Sequence, residues 1–460
     1  MTFPAAPGTQ DPANPNAARP ASAATGNTRR PRRAGAGAAG RALTVAVAAA
    51  LATTGCLGPG GGARVQQPDA SGDGTLRIGL ILDNTGAQSF LNAPQLAAAK
   101  LAVREINAAG GHKGRPVELL PETISGDTAA QAEALVAAKA DVVIGPTDSS
   151  NAPAAIDVLS NARITMMSPA NTASALSTYE SRGYYFRTAA ADVAQAPVLV
   201  KLAKDGGAAT LAVVYEDGSH GKDVSTAVAA AAKEAGVGTV AVASFAPGQA
   251  QQAAAAAKAA APDAVVLIAR TGAQGAIAEL NNAGLAGRKL ILSDGAVSQY
   301  GSGLGSGALD GARGILPGTF ASAHFQAELV SVDPGLKDMA FAAEAYDAVN
   351  LAAIAAAAAA DDAGTSIAAN LIGVSGGSVP SGSVPSGSAG PAGEATVCRT
   401  YQECLDAIRA GKRPDYDGES GRISFDSRGD VSSANYVAYR YGADNTATMS
   451  GSETANSSGR

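Results

Sequence analysis

Three short polar stretches, residues 147–151 (TDSSN), 169–172 (PANT) and 293–295 (SDG), each follow an apolar run of the kind that forms a buried strand. In open α/β sheets, ligands sit just past the carboxyl ends of such strands. After residues 142–145 the chain offers Ser149, Ser150 and, with Pro153 in a first helical turn, free backbone amides. These groups can cradle a carboxylate. Residues 165–168 run into Ala170, Asn171 and Thr172, which supply a carbonyl, an amide and a hydroxyl. Residues 289–292 end at Asp294, whose carboxylate can pair an ammonium. A zwitterion needs both signs opposite it in a partly dry cleft, and each charge-assisted hydrogen bond contributes about 1.5–3 kcal/mol. Helix capping is the competing use of Ser149, Ser150, Thr172 and Asp294, because all four precede helices.

Covalent or metal chemistry has little to work with. Nothing resembles a nucleophile with a base beside it, and only His112, His220 and His324 are available as histidines, so no catalytic residue is expected. A G-x-S-x-G pattern at residues 373–377 resembles an esterase elbow, but Pro380 and the Gly/Ser run around it forbid the helix that the serine needs. Residues 301–307 (GSGLGSG) imitate a dinucleotide loop without the third glycine or the following helix. Cysteines stand at 56, 398 and 404, in no metal-ligand spacing, so neither a metal nor a cofactor is expected. Cys398 and Cys404, six apart, either form a short disulfide or remain two buried thiols. With a net charge of −6 and no basic stripe after residue 41, nucleic acid is not an expected partner.

The elements that must position these residues alternate. Residues 76–82 are nearly all apolar, and a helix follows in which Leu96, Ala99, Leu101, Ala102 and Ile106 recur at three- and four-residue intervals. Strand and helix patterns then alternate to residue 168 and again from 190 to 292. Such alternation builds right-handed βαβ units, so the expected fold class is α/β, with two doubly wound parallel-sheet lobes. At 46% hydrophobic but only 4% aromatic residues and no Trp, the cores are made of Ala, Val, Leu and Ile.

In this frame the chain resembles the leucine/isoleucine/valine-binding proteins, the type I periplasmic-binding family that serves ABC importers. INAAGG at residues 106–111 followed by GRPVELLPETISGD, VVIGP at 142–146, MMSPANT at 166–172, YYFRTA at 184–189, VVYEDGSHGKDV at 213–224, SDG at 293–295 and YDAVNLAA at 346–353 occur in the family's order. The resemblance covers roughly residues 75–445 with one insertion. It implies two lobes joined by a multi-crossover hinge: residues 75–189 with 318–415, and residues 190–317 with 416–445. Residues 373–393 are expected as a disordered Gly/Ser/Pro insertion within the first lobe. Residues 446–460 are expected as a disordered tail.

By the same resemblance, Ser149, Ala170 and Thr172 match positions that hold an amino acid's α-carboxylate and part of its ammonium, and Asp294 matches the acid that pairs the ammonium. Gln95, His220 and Arg270 fall about where branched-chain binders carry aromatic side chains, so a large aliphatic ligand is less secure. Arg270 either meets a second carboxylate or stands exposed, and His220 either donates to the ligand or faces solvent.

Ahead of the fold, a Pro/Ala-rich leader with Arg29, Arg30, Arg32, Arg33 and Arg41 runs into the apolar stretch 42–54, then Gly55 and Cys56. The pattern is a secretory signal over residues 1–55, whose apolar run 42–54 is too short for the roughly 20 residues that span a bilayer. Small residues before Cys56 resemble a lipobox, so Cys56 is expected to carry lipid and residues 56–74 to form a flexible tether. The expected protein is an extracytoplasmic, lipid-anchored binding protein that holds a small amino acid, amide or carboxylate and docks on an ABC permease. A scaffold or sensor component with a silent cleft is the alternative.

Overall fold

The computed structural model describes residues 65, 72–85, 89–319, 321–377 and 395–456. The expectations for the signal, for Cys56, for most of the tether and for residues 378–393 of the insertion lie outside the described residues.

The first lobe opens as β1 (Arg77–Leu80), α1 (Asn92–Ala108), β2 (Glu118–Leu119), α2 (Thr128–Ala137), β3 (Val142–Ile144), α3 (Ala152–Asn161), β4 (Thr165–Ser168) and β5 (Tyr185–Arg187). Its sheet has the order β2-β1-β3-β4-β5 and every pairing is parallel. Strands β3, β4 and β5 are buried at every residue because helices cover both faces. Asp127 starts α2 by accepting from the amides of Ala129 and Ala130 at 2.9 and 3.2 Å, the usual use of an aspartate at a helix start.

The second lobe follows as α4 (Ala196–Asp205), β6 (Thr210–Glu216), α5 (Ser219–Glu234), β7 (Gly238–Phe245), α6 (Gln251–Ala259), β8 (Ala264–Ile268), α7 (Ala273–Asn282), β9 (Leu290–Leu292) and β10 (Arg313–Pro317). The chain then returns to the first lobe with α8 (Ala323–Val332), α9 (Ala342–Ala359), α10 (Gly364–Val374), β11 (Ala395–Cys398), α11 (Tyr401–Arg409), β12 (Arg413–Gly418) and β13 (Gly421–Arg422). It crosses once more into β14 (Ser433–Tyr441) and β15 (Ala447–Asn456). The second sheet has the order β15-β14-β10-β9-β8-β6-β7, parallel except where β14 pairs antiparallel with β10 and with β15.

Helix α9 is mostly alanine and, Glu344 apart, is buried from Ala342 through Ala356 in the first-lobe core; its alanines let α1 and α10 approach closely. No single helix among the described residues is long and apolar enough to cross a membrane. Cys398 and Cys404 are bonded to each other inside the same core, with Cα atoms 5.2 Å apart.

Three expectations are corrected. Residues 416–431 do not belong to the second lobe: Tyr416, Ile423, Phe425 and Val431 pack into the first-lobe core, so the last crossing falls just before β14. Residues 447–456 are not a disordered tail but an edge strand, registered along β14 from Ser433↔Asn456 to Tyr441↔Ala447. Residues 373–375 are not loop either. α10 continues through Val374, and the buried Ser375 hydroxyl accepts from the Phe425 amide at 3.0 Å.

The crossings are laced together. Asp192 N–H donates to the Thr172 carbonyl at 2.7 Å, Gly318 N–H to the Asn435 carbonyl at 2.8 Å, and the Thr188 hydroxyl to the Glu344 carbonyl at 2.9 Å. Burial pushes the Glu344 carboxyl up to about 7, with Asp347 adding to the shift. Burial likewise raises Asp141 to about 7, against the pull of the Arg77 amide. Unfolded carboxyls titrate near ~4. The folded state therefore binds more protons between about pH 4 and 7, and the stability these two groups contribute is lost as pH rises through 7. Urea midpoints should be higher at pH 5 than at pH 8, and Glu344→Gln should flatten the difference. A midpoint that climbs with pH, or a slope unchanged in the variant, would contradict this.

Candidate functional site

In the first lobe, the loop after β3 is anchored from below. Asp83, 4% exposed, accepts from the Asp148 amide at 2.6 Å and from Asn151 Nδ2 at 2.7 Å. The loop after β4 is tied to it by the buried Asn171, whose Nδ2 donates to the carbonyls of Pro146 and Thr147 at 3.0 and 2.9 Å. Ser149 does not cap its own helix: α3 starts at Asn151 without a side-chain cap, and Ser149 Oγ accepts from the amides of Thr172 and Ala173 at 3.2 and 3.3 Å. A hydroxyl has two acceptor positions and one donor. With both acceptor positions used, the Ser149 O–H is left to donate, which suits a carboxylate. The Thr172 hydroxyl, half-buried, has no hydrogen-bond partner among the described residues.

Two first-lobe expectations are corrected. Gln95 is 1% exposed, with Nε2 donating to Thr147 Oγ1 at 2.8 Å. It braces the loop from behind and presents no surface to a ligand. Ser150 is exposed and spends both its amide and its hydroxyl on Asp148 Oδ1, each at 2.8 Å. Ala170 is buried, its amide leaning on Ser168 Oγ at 3.3 Å.

The second lobe brings His220, Arg270 and Asp294 together. Asp294 is not a helix cap. Its side chain is 16% exposed and turned inward, with Oδ1 accepting from Gln195 Nε2 at 3.0 Å while its amide donates to Gln195 Oε1 at 3.2 Å. Gly295 is what lets this loop close on the next strand end: a Cβ there would lie 2.6 Å from the Ala269 carbonyl oxygen and 2.5 Å from Arg270 Cγ. Arg270 is held by Glu216 at the end of β6, which accepts from the amides of Arg270 and Gly272 at 2.7 and 3.0 Å.

His220, at the start of α5, is mostly buried. Its Nδ1 lies 2.9 Å from Asp192 Oδ2, and Arg270 Nη2 lies 3.4 Å from Asp192 Oδ1 and 3.2 Å from the same Nδ1. When the ring is neutral and its Nδ1 proton points along the shorter contact, to Asp192, Nε2 is an acceptor. Nε2 is buried, has no hydrogen-bond partner among the described residues, and lies 3.8 Å from Asp294 Oδ1. Two acceptors this close call for a donor between them, and an ammonium nitrogen about 2.8 Å from each satisfies both. Beneath them lies Tyr436, 2% exposed. Burial first, then the negative field of Asp294 and Asp192, holds its phenol well above the usual tyrosine range.

The two halves meet through Asp192, whose side chain touches His220 and Arg270 while its amide donates to the Thr172 carbonyl. Sequence reasoning missed Asp192 and Gln195, which lie three apart in the 3-10 turn Asp192–Gln195 that opens the second lobe. Two buried polar residues one turn apart, in a stretch otherwise patterned as an apolar helix start, were the available signal. It also gave no role to Arg187, which is fully buried. Arg187 Nε pairs with Asp430 at 2.7 Å, Nη1 donates to the carbonyls of Asn171 and Ala173 at 3.2 and 2.9 Å, and Nη2 donates to Ser177 Oγ at 2.7 Å. It therefore fixes the loop that presents Thr172.

Residues 75–402 match the periplasmic binding protein family, and the chain belongs to it. That family comprises extracytoplasmic substrate-binding proteins and not enzymes. A leucine-, isoleucine-, valine-, threonine- and alanine-binding protein of Pseudomonas aeruginosa is 30% identical over 172 residues, 35% of this chain and 44% of that one. The chain thus spans less than half the length of the relatives it matches at this level. Among solved structures, a branched-chain amino acid substrate-binding protein from Streptococcus pneumoniae, in complex with isoleucine, superposes with a TM-score of 0.55 at 21% identity, over 83% of this chain and 99% of that one. A solute-binding protein from Rhodopseudomonas palustris HaA2, in complex with p-hydroxybenzoic acid, gives 0.58 at 16% identity, over 83% and 98%. These likenesses show the type I two-lobed fold.

Proposed function

We propose that this chain is the lipid-anchored solute-binding component of an ABC importer and that its ligand is a small amino acid, or a related amide or acid, with a polar side group. The reading is carried by one observation: His220 Nε2, buried and without a hydrogen-bond partner among the described residues, lies 3.8 Å from Asp294 Oδ1. Charge balance supports it. Two carboxylates, Asp192 and Asp294, stand beside the single Arg270 guanidinium, and a ligand's ammonium would offset the second. On the opposite side, the Ser149 O–H and the Thr172 hydroxyl remain available to a carboxylate.

The polar side group follows from Arg270, which is 52% exposed and puts a guanidinium where an aliphatic ligand would want an apolar wall. Only a ligand that touches both lobes favours the closed state over the open one, and that differential is what a permease would read. The relatives' printed ligands, branched-chain amino acids and an aromatic acid, are compatible with the ligand class and do not identify the member. Lipid attachment would be at Cys56. Calorimetry and thermal shift over amino acids, their amides and small carboxylates should find at least one binder, with polar members preferred over leucine. If no compound binds, the transport reading fails and a scaffold with a silent cleft takes its place.

A further inference from the structure

The second lobe has two ends. Asp294 lies past the carboxyl end of β9, and the opposite, amino-terminal edge of the same sheet carries a concavity of about 470 Å³, within the roughly 300–1,000 Å³ usual for small-molecule sites. Arg288, Lys289, Arg313 and Arg440 line it together with Asp263 and residues 206–208. Arg313 and Arg440 are directly opposite each other on the antiparallel pair β10–β14, a placement that destabilises a sheet when both residues carry the same charge. None of the three arginines has an ion-pair partner among the described residues.

The nearby acids are committed elsewhere. Asp263 accepts from the Ala209 and Thr210 amides and the Thr210 hydroxyl, at 2.9–3.0 Å. Asp205 pairs with Lys201 at 2.7 Å. Arg313 is folded inward against Gly206, where a Cβ would lie 2.1 Å from its Nη2. Burial holds its guanidinium below the usual arginine value, against the pull of Asp205 and with Arg440 adding to the shift. In a chain of net charge −6, four cations gathered in one hollow against the single lining carboxylate of Asp263 are not a by-product of general basicity.

We propose that this hollow is a second binding site, separate from the inter-lobe cleft, for an anion that carries phosphate groups. Arginine forks match phosphate oxygens two at a time, and a bound dianion would turn the Arg313–Arg440 repulsion into shared attraction. The phosphate belongs either to a soluble diphosphate or to a phospholipid headgroup, since the chemistry presented to the pocket is the same.

The test uses the purified chain and the double variant Arg313→Gln/Arg440→Gln. Pyrophosphate should raise the melting temperature of the wild type beyond chloride of matched ionic strength. The variant should melt higher than the wild type without the anion, bind pyrophosphate at least tenfold more weakly, and keep its affinity for the cleft ligand. Cosedimentation with phosphatidylglycerol vesicles, lost in the variant and absent with phosphatidylcholine, assigns the site to a headgroup; pyrophosphate binding without it assigns the site to a soluble anion. The proposal is overturned if neither probe binds beyond the chloride control, or if the variant binds as the wild type does.

Discussion

Asp294→Ala should weaken ligand binding by ten- to a hundredfold or more, while the ligand-free protein melts within a few degrees of the wild type. The size follows from removing one charge-assisted hydrogen bond in a partly dry site, about 1.5–3 kcal/mol, together with the charge that offsets the ligand's ammonium. The modest effect on folding follows from the geometry. The carboxylate's one close protein partner is Gln195 Nε2, so no buried ion is left unpaired. His220 keeps its contact with Asp192. Calorimetry with the best ligand from the screen measures the first quantity and a melting curve the second. Unchanged affinity would remove Asp294 from the site and favour a scaffold; a large loss of stability would make it a structural residue.

Arg187→Met should cost about 3–5 kcal/mol of stability, because it removes the cation from a buried ion pair. Asp430 is only 12% exposed at its side chain, and two carbonyls and Ser177 lose their donors as well. Arg187→Met/Asp430→Asn should recover part of the loss, since the double change removes both members of the ion pair. Ligand affinity should fall too: the guanidinium holds Asn171 and Ala173, on either side of Thr172, and through Asp430 ties that loop to the segment before the last crossing. Urea denaturation checks the stability figure. A loss below about 1 kcal/mol would show that the pair is dispensable.

Much of the architecture was legible because it depends on local periodicity. Apolar runs such as residues 142–145, 264–268 and 290–292 had to be buried parallel strands, and the short polar segments after them had to lie at one edge of a sheet. What was not legible depends on pairing across long separations. Ile423, Phe425 and Val431 have the apolar pattern of core residues in either lobe, and only packing assigns them to the first. Strand β15 is polar and holds Gly451, so nothing in its pattern separates an edge strand from a loose tail; its order comes from β14 beside it.

The site divides the same way. Ser149, Thr172 and Asp294 stood out by type and place. The capping alternative gave way for Ser149 and Asp294 because their side chains reach across to other loops. Gln95 and Ser150 were misread because residue type and spacing do not say which way a side chain points. Arg187 was invisible as a brace because its partner Asp430 lies 243 residues away.

The central claim is that the first lobe holds the ligand's negative end and the second lobe its positive end. Calorimetry of the best ligand against two of its analogues, one lacking the amine and one with the carboxylate esterified, tests it on three proteins: wild type, Asp294→Ala and Ser149→Ala/Thr172→Val. The account predicts that the wild type rejects both analogues, that Asp294→Ala no longer distinguishes the ligand from its amine-free form, and that Ser149→Ala/Thr172→Val no longer distinguishes it from the ester. If each analogue loses the same affinity on all three proteins, the two ends are not held where the account places them.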